Sequence, residues 1–398
     1  MRVLHVHDHL DSCGGAETYV LGVIRELAQA GHEPFLAYAK GDPTVLPGAF
    51  HVPSMVSATR MGVRESFDAI KRLAAELRPD VVHFHNIYDI KAFEAAFQSA
   101  PTVVTAHGYG LVCPEMSFFY RNSRRICERT CGPACFGVTL KERCMTWRPR
   151  STMAYYGRVR WFKQQSHRFA HVIGPSAPAS ARFVAAGFPA DRVSTVPYFC
   201  PVEPAATMSS APEEPTVLYI GRLRDIKGVD FFIRALGMLA PHVKGVIVGD
   251  LNEERLAEYR RLAASVGCAD RLSFRPWVAR DGVSEVYRAS SLLVFPSIWP
   301  ETLGLVGLEA MANGVPVVAA DVGGVREWLL PDETGVLVPP KDARALAEGM
   351  KRILESPTIR ERYARAGMAL VKTKFSVATH LRLLMEVYQS ALAWDSST

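Results

Sequence analysis

The stretch WPETLGLVGLEAMANGVPVV, residues 299–318, places two glutamates, Glu301 and Glu309, in an otherwise apolar run. The preceding SLLVFPS predicts a buried strand, and LVGLEAMANG predicts a helix that ends at an Asn–Gly pair. Glu301 then lies in the connecting loop, Gly304 just before the helix, and Glu309 inside it. A buried carboxylate costs free energy unless a partner binds it, so packing alone would not favour two of them here.

These two glutamates are expected to receive hydroxyl groups and not to form ion pairs in a core. Backbone N–H groups at 303–305 would face an anion at the helix N-terminus, while both carboxylates accept hydrogen bonds. A charged acceptor binds hydroxyl groups more strongly than a neutral one, and sugars offer many hydroxyls. The alternative is a helix cap with one incidental acid, which explains Glu301 better than Glu309.

The rest of the chain alternates strand and helix patterns in two similar halves. RVLHVH followed by AETYVLGVIRELAQAG opens the first half, and TVLYIGRL opens the second after the proline-rich segment 199–216. Three helical segments, about 342–355, 358–372 and 376–394, close the chain. Short β-branched strands between helices predict two doubly wound domains with parallel sheets, whose ligand loops surround a shared cleft.

Length and composition agree with two domains and give few further constraints. The 398 residues exceed one ordinary domain, and no apolar run approaches the roughly 18 residues of a membrane span. The N-terminus lacks the apolar region of a signal peptide, so we expect a cytoplasmic location. The formal charge is +6, but residues 121–168 alone carry +10. This local excess predicts an anionic contact and argues against general nucleic-acid binding.

Three further motifs follow predicted strands. The glycine pair Gly14–Gly15 in DSCGGAETYV precedes a helix and suits a phosphate, although a tight turn explains it equally well. Arg222 and Lys227 in GRLRDIKG are well placed to bind a diphosphate, with solvated surface charge as the alternative. His107 in TVVTAHG ends a strand; most single histidines are structural, but this position favours a role in the site.

The spacing from Glu301 to Glu309 in PETLGLVGLEAMANGVPVVAADVGG, together with TGVLVPPKD, GRLRDIKG and CGGAE, resembles the retaining GT-B glycosyltransferases of the family 4 group, also called group 1. The resemblance covers nearly the whole chain. It implies two Rossmann-like domains facing an interdomain cleft and a last helix that crosses back to the first domain. It also implies transfer of a sugar from a nucleotide diphosphate donor, with retention at the anomeric carbon and without a catalytic metal ion.

The same resemblance assigns roles to the carboxylates and to the loop between them. Glu309 would bind the donor ribose, and Glu301 would bind the transferred sugar. The backbone would meet sugar or phosphate oxygens at three consecutive positions: Leu303, Gly304 and Leu305. The family more often has Pro–Phe where this chain has Thr302–Leu303.

The cations and the first-domain residues would act on the leaving group and the sugar. Arg222 and Lys227, helped by Gly14 and Gly15, would neutralise the diphosphate, so that two fixed cations replace Mg²⁺. His107 would contact the sugar near the anomeric carbon. No second carboxylate is placed as a nucleophile, and the family implies a front-face mechanism in which the leaving phosphate takes the acceptor's proton.

We divide the chain into residues 1–198 (first domain, with an insert at about 108–150), 199–214 (linker), 215–373 (donor-binding domain) and 374–398 (crossing helix). Two other functions fit the same fold: a nucleotide-sugar epimerase, and a two-lobed binding protein without turnover. An NAD-linked oxidoreductase is disfavoured because neither first strand is followed by a dinucleotide fingerprint.

Five of the eight cysteines fall within 32 residues of the insert: Cys113, Cys127, Cys131, Cys135 and Cys144. In a reducing compartment such a cluster favours metal binding over disulfides. Cys127, Cys131, Cys135 and Cys144 are the first candidates for a structural zinc site, with Cys113 as an alternative ligand. Free or redox-active thiols remain the other interpretation.

The insert also interleaves aromatic residues with cations, as in SFFYRNSRR and YYGRVRWFKQQ. This pattern suits a lipid-linked diphosphate acceptor and peripheral contact with the inner face of an anionic membrane. An anionic polysaccharide acceptor fits the same charge. A solvated basic helix is the plain alternative.

Overall fold

The computed structural model describes residues 1–11, 14–56, 63–145, 148–205 and 212–394. The chain forms two compact units: unit 1, Met1–Phe199 with Val377–Thr398, and unit 2, Cys200–Ser376. In the described ranges, no helix combines the length and apolar character needed to cross a bilayer.

Unit 1 is organised around a sheet of seven parallel strands. The strands of unit 1, which include a separate short pair, are β1 (Arg2–Leu10), β2 (Glu33–Gly41), β3 (Phe50–His51), β4 (Val81–His85), β5 (Thr102–Thr105), β6 (Phe119–Tyr120), β7 (Arg125–Ile126), β8 (His171–Gly174) and β9 (Val193–Thr195). The order across the sheet is β3-β2-β1-β4-β5-β8-β9, and β6 and β7 form a separate antiparallel pair. The helices within residues 1–199 are α1 (Gly15–Gln29), α2 (Arg64–Leu77), α3 (Ile90–Phe97), α4 (Ala134–Glu142), α5 (Pro149–Gln164) and α6 (Ala177–Ala185).

Unit 2 repeats the design with a sheet of six parallel strands. Its strands are β10 (Thr216–Ile220), β11 (Lys244–Gly249), β12 (Leu272–Pro276), β13 (Leu292–Phe295), β14 (Val317–Ala320) and β15 (Gly335–Val338). Their order is β12-β11-β10-β13-β14-β15. The helices are α7 (Val229–Gly237), α8 (Glu253–Ser265), α9 (Val283–Arg288), α10 (Leu305–Ala312), α11 (Ala343–Leu354) and α12 (Pro357–Lys374).

The last helix, α13 (Val377–Ala393), belongs to unit 1. Two of its polar side chains fix it there: His380 Nδ1 lies 2.7 Å from the Pro197 carbonyl oxygen, and the Tyr388 hydroxyl lies 2.7 Å from His83 Nδ1. These buried polar contacts select one position for the helix on the sheet.

Both sheets have a point where the strand order reverses. It lies between β1 and β4 in unit 1 and between β10 and β13 in unit 2. Loops that leave neighbouring strands toward opposite faces open a crevice at the carboxyl ends of those strands. The predicted fold class, a pair of Rossmann-like doubly wound sheets, is confirmed. The two switch points are where ligand-binding residues are expected.

The central strands of unit 2 are buried along their whole length, as expected for strands covered on both faces. Every residue of β13 and β14 is buried, and both strands read as continuous apolar runs. Such strands provide a rigid base for the loops that follow them.

Candidate functional site

The loops that leave β10 and β13 at the switch point of unit 2 carry three of the residues singled out in the sequence. Arg222 and Lys227 follow β10, and Glu301 follows β13. The Ile298 N–H donates a hydrogen bond of 2.9 Å to the Ile226 carbonyl, which ties the two loops together.

Gly228 permits this close approach. It adopts φ +68°, and a Cβ there would lie 2.0 Å from the carbonyl oxygen of Pro296. Only glycine avoids that clash while it adopts the left-handed conformation. The close approach at Gly228 therefore brings Lys227 against the β13 loop.

Glu301 is buried, with 4% of its surface exposed, and lies in an ion pair. Lys227 Nζ donates to its Oε1 over 2.6 Å, and the Ser297 hydroxyl donates to the same oxygen over 2.6 Å. Lys227 Nζ also lies 5.2 Å from the centre of the Trp299 ring, a cation–π distance. The residues predicted to bind the sugar and the phosphate, Glu301 and Lys227, thus contact each other.

Glu309 lies on α10, is 6% exposed and is held from two sides. Arg280 Nη1 donates to Oε1 over 2.9 Å, and the Tyr287 hydroxyl donates to Oε2 over 2.9 Å. Burial, reinforced by the neighbouring Glu309 charge, raises the pKa of Tyr287 well above its usual value. The hydroxyl therefore stays protonated as a donor.

The expectation that the two glutamates are not ion-paired is wrong. Glu301 pairs with Lys227 and Glu309 pairs with Arg280. The physical reason is the one that made these residues conspicuous in the sequence, since a buried carboxylate needs a cation or a hydrogen-bond donor beside it.

The start of α10 is set by Gly304, which adopts φ +108° at the N-cap. Leu303 precedes it and is fully buried, and its carbonyl oxygen accepts a 2.7 Å hydrogen bond from the indole N–H of buried Trp328. Leu305 is the first helical residue. The indole fixes the loop, and the helix N-terminus directs the positive end of its dipole to the edge of the sheet.

Arg222 differs from the other charged residues of this edge. Its side chain is exposed and forms no ion pair with any carboxylate among the residues that the structure describes. Its carbonyl oxygen accepts a 2.9 Å hydrogen bond from the Tyr219 hydroxyl, which holds the turn. The guanidinium is therefore available to an anion.

Sequence reasoning missed three residues that complete this edge of unit 2: Arg280, Tyr287 and Ser297. Arg280 lies in the turn before α9, three residues after the segment RLSFRPW. In the sequence, Arg280 lies 29 positions from Glu309, and Tyr287 lies 22 positions from Glu309. No local sequence pattern encodes pairings over such separations.

In unit 1, Gly14 and Gly15 lie where α1 begins, at the carboxyl end of β1. Gly14 is the N-cap at φ +116°, and Gly15 is the first helical residue. The glycine pair therefore does form the tight turn that was its plain interpretation. Its predicted phosphate contact stays a prediction.

His107 follows β5, and both of its ring nitrogens are occupied within unit 1. Nε2 lies 3.2 Å from His85 Nδ1, and Nδ1 lies 2.8 Å from the Tyr198 hydroxyl. Burial, followed by the neighbouring His7, lowers the pKa of His107 well below its usual value. The ring is therefore neutral near pH 7. Because both ring nitrogens are already hydrogen-bonded, the predicted contact with the sugar would involve the ring carbons or the backbone.

A block of buried histidines surrounds His107 at the switch point of unit 1. His5 pairs with His83 in the β1–β4 register, and His7 pairs with His85. Among the described residues, the one group whose ligand atoms all lie within 4.8 Å is His5, His83 and His85. Hydrogen bonds already engage both ring nitrogens of His83 and of His85, so we interpret the block as a hydrogen-bonded polar network.

The five insert cysteines all line one cavity of about 30 Å³: Cys113, Cys127, Cys131, Cys135 and Cys144. All five are free thiols. Cys113 and Cys131 are buried, and the other three are half-buried. Within the described residues, no three of these sulfurs lie within 4.8 Å of one another. The sulfurs are therefore farther apart than the ligand atoms of a single bound metal ion.

Two family models match successive parts of the chain. Residues 13–203 match Glycosyltransferase Family 4, and residues 207–369 match Glycosyl transferases group 1. The chain belongs to the group 1 glycosyltransferases.

Curated relatives support this membership of the group 1 family. D-inositol 3-phosphate glycosyltransferase of Xylanimonas cellulosilytica is 34% identical over 218 residues, which are 50% of this chain and 52% of that protein. Alpha-D-kanosaminyltransferase of Streptomyces kanamyceticus is 31% identical over 180 residues, 44% and 46% of the two chains. The chain thus spans about half the length of the curated relatives that it matches.

Solved structures confirm the GT-B fold of this group 1 member. The UDP complex of Anabaena HepE has a TM-score of 0.74 at 19% identity and covers 98% of this chain and all of its own. Sucrose-phosphate synthase of Thermosynechococcus elongatus has a TM-score of 0.75 at 22% identity, with 99% and 100% covered. At this level of identity the likeness concerns the fold alone.

Proposed function

We propose that this chain transfers a sugar, with retention at the anomeric carbon, from a nucleotide diphosphate donor to an acceptor. The observation that carries the proposal is the switch point of unit 2, where two buried glutamates and three basic side chains lie at the edge of the sheet. Such a donor combines hydroxyl groups, which seek carboxylates, with a diphosphate, which seeks cations.

These ion pairs leave hydrogen-bonding capacity for the donor substrate. An ammonium group has three N–H donors, so Lys227 can keep its bond to Glu301 and still donate to a phosphate oxygen. A carboxylate accepts about four hydrogen bonds. Glu309 uses two of them for Arg280 and Tyr287, which leaves two for ribose hydroxyls.

Transition-state stabilisation would come from the leaving group. Cleavage of the glycosyl–phosphate bond develops negative charge on the diphosphate, and fixed cations stabilise that charge without reorganisation. Arg222 and Lys227 supply two such cations, and the N-terminus of α10 adds its dipole. The proposed reaction therefore needs no divalent ion, and the leaving phosphate would accept the acceptor's proton.

We assign the acceptor to unit 1. The basic insert supports an anionic acceptor such as a lipid-linked diphosphate, because its described part exposes many cations, among them Arg121, Arg125, Lys141 and Arg150. It also exposes the apolar side chain of Leu140 at 66%, and Met153, just after the insert, is 58% exposed. Exposed basic and apolar side chains in one segment suit peripheral contact with an anionic bilayer.

A donor panel tests the proposal. The protein is incubated with nucleotide diphosphate sugars of different bases, and release of the nucleotide diphosphate is followed with and without added Mg²⁺. We expect one donor to be cleaved or transferred at the same rate in both conditions, with retained anomeric configuration in the NMR spectrum of the product. An inverted anomeric configuration would refute retention, and an absolute need for Mg²⁺ would refute metal-independent catalysis. An isomerised donor in place of a glycoside would show that the protein is an epimerase.

A further inference from the structure

We propose that the cysteine module, residues 113–145, binds one zinc ion through four of its five thiolates. The geometry that points to this is the shared cavity of about 30 Å³, onto which all five cysteines open. Apolar side chains, among them Phe118, Phe119 and Met145, form much of the rest of the lining. Thiolates gathered in an apolar setting bind Zn²⁺ in preference to harder ions.

Hydroxyl groups of the module lie within hydrogen-bond distance of two of the sulfurs. The Tyr120 hydroxyl lies 3.1 Å from the Cys127 sulfur. Thr139 Oγ1 lies 3.7 Å from the Cys144 sulfur. Donors of this kind orient metal-bound thiolates and offset their charge, so they form the outer shell that a zinc site requires.

Cations around the cavity match the charge of the proposed centre. Four thiolates around Zn²⁺ carry a net charge of −2, which is costly to bury without compensation. Arg129 lines the cavity, Lys163 Nζ donates to the Cys131 carbonyl over 3.1 Å, and Arg182 Nη1 donates to the Cys127 carbonyl over 2.9 Å. Arg182 is itself paired with Glu128, and Glu115, which also lines the cavity, is paired with Arg121. Arg129 and Lys163 therefore give the compensation from outside the ligand shell.

Little regular secondary structure stabilises the module. Its regular structure, in the described residues, consists of the two-residue strands β6 and β7 and the nine-residue helix α4. Ordering a loop of this length costs conformational entropy that so small an apolar lining offsets poorly. A metal crosslink between its ends supplies the missing free energy.

Burial shapes the ligand set. Cys113 and Cys131 are buried, whereas Cys127, Cys135 and Cys144 are half-buried, so the two buried cysteines are the core of the site. Two of the other three provide the remaining thiolates. Because the sulfurs are not yet at ligand distance, binding requires rotation of cysteine side chains about χ1 toward the cavity.

Metal analysis of the untagged full-length protein, purified under reducing conditions without chelator, tests the proposal. We expect one zinc per chain by inductively coupled plasma mass spectrometry. In single Cys→Ser variants of the five positions, four should lose the zinc and one should keep it. Cys200→Ser and Cys268→Ser, two buried cysteines that do not line the cavity, serve as matched controls and should retain full zinc.

A second measurement does not depend on the variants folding. Exchange of the native metal for Co²⁺ should produce the visible absorption typical of tetrahedral thiolate ligation. The proposal is overturned if the protein contains no stoichiometric zinc, if iron takes its place, if all five serine variants keep the metal, or if the thiols are found as disulfides. None of these results depends on sugar transfer, so failure here leaves the proposed function untouched.

Discussion

At the scale of single residues, each charge of the unit 2 site is partnered with one exception. Removing Lys227 or Arg280 would leave a buried carboxylate without its cation, which costs about 3–5 kcal/mol of stability. Arg222 lacks such a partner among the described residues and is exposed. A substitution of Arg222 is therefore expected to lower the catalytic rate with little change in the free energy of unfolding.

Arg222→Ala should lower kcat by about 10²-fold or more, as for the loss of one transition-state donor. Its melting temperature should stay close to that of the wild type. Arg234→Ala, an exposed arginine on α7, is the matched control. Steady-state kinetics with the preferred donor decides, and equal turnover in both variants would remove Arg222 from the proposed role.

Glu309→Gln should weaken donor binding by about 10- to 100-fold, because a neutral amide replaces a charged acceptor of hydroxyl groups. Arg280, whose side chain is 37% exposed, can turn to solvent, so the fold should persist. Glu285→Gln, an exposed glutamate on the neighbouring α9, is the control. Titration calorimetry measures both; unchanged affinity in Glu309→Gln contradicts the ribose contact.

At the scale of elements, the sequence predicted helices better than it predicted contacts. The last three helices were expected at about 342–355, 358–372 and 376–394, and they occupy Ala343–Leu354, Pro357–Lys374 and Val377–Ala393. Periodicity and capping residues such as Asp342 and Ser356 act locally, and both side chains do cap their helices. The Arg280–Glu309 pair joins α10 to the turn before α9, and that approach depends on the folded sheet.

Gly304→Ala should destabilise the N-terminus of α10. Its φ of +108° disfavours any side chain, and a Cβ would lie 3.1 Å from the Phe295 ring. Strain of this kind costs about 1–3 kcal/mol. Thermal unfolding should show the loss.

The control for this change is Gly137→Ala in helix α4. A Cβ at Gly137 meets nothing within 4 Å, and alanine should stabilise the helix by about 0.5–1 kcal/mol. The melting temperature should fall for Gly304→Ala and rise for Gly137→Ala. A Gly304→Ala variant as stable as the wild type would show that the backbone at this position is not strained by a side chain.

At the scale of the whole molecule, the fold class was predictable because both halves repeat strands and helices of the same style. The histidine block was not predicted as a block. RVLHVH and VVHFH read as ordinary strands, and only the parallel register of β1 with β4 places His5 beside His83 and His7 beside His85. Long-range register is what a single sequence does not reveal.

This block should make unit 1 sensitive to acid. Burial lowers the pKa of His5 to about 3 and of His380 to about 4, and also holds the pKa of His83, His85 and His107 well below 6.5. Below pH 6.5 the unfolded chain binds protons that the folded chain does not. Stability is therefore complete above that pH and falls as the pH drops toward the folded-state values.

Each such histidine contributes a slope of about 1.4 kcal/mol per pH unit in this window. Unfolding by urea at a series of pH values on either side of 6.5 measures the total. His242→Asn, an exposed histidine, should leave the slope unchanged. A stability that does not vary below pH 6.5 would mean that the block is already protonated or exposed.

We propose that the switch point of unit 2 binds the diphosphate and the hydroxyl groups of one sugar nucleotide. Titration calorimetry of the wild type with nucleotide diphosphate sugars, repeated on Arg222→Ala and Glu309→Gln, measures that binding separately from turnover. We expect saturable binding of one donor by the wild type and affinity at least about tenfold weaker in each variant. The proposal fails if no donor binds, or if all three proteins bind a donor with equal affinity.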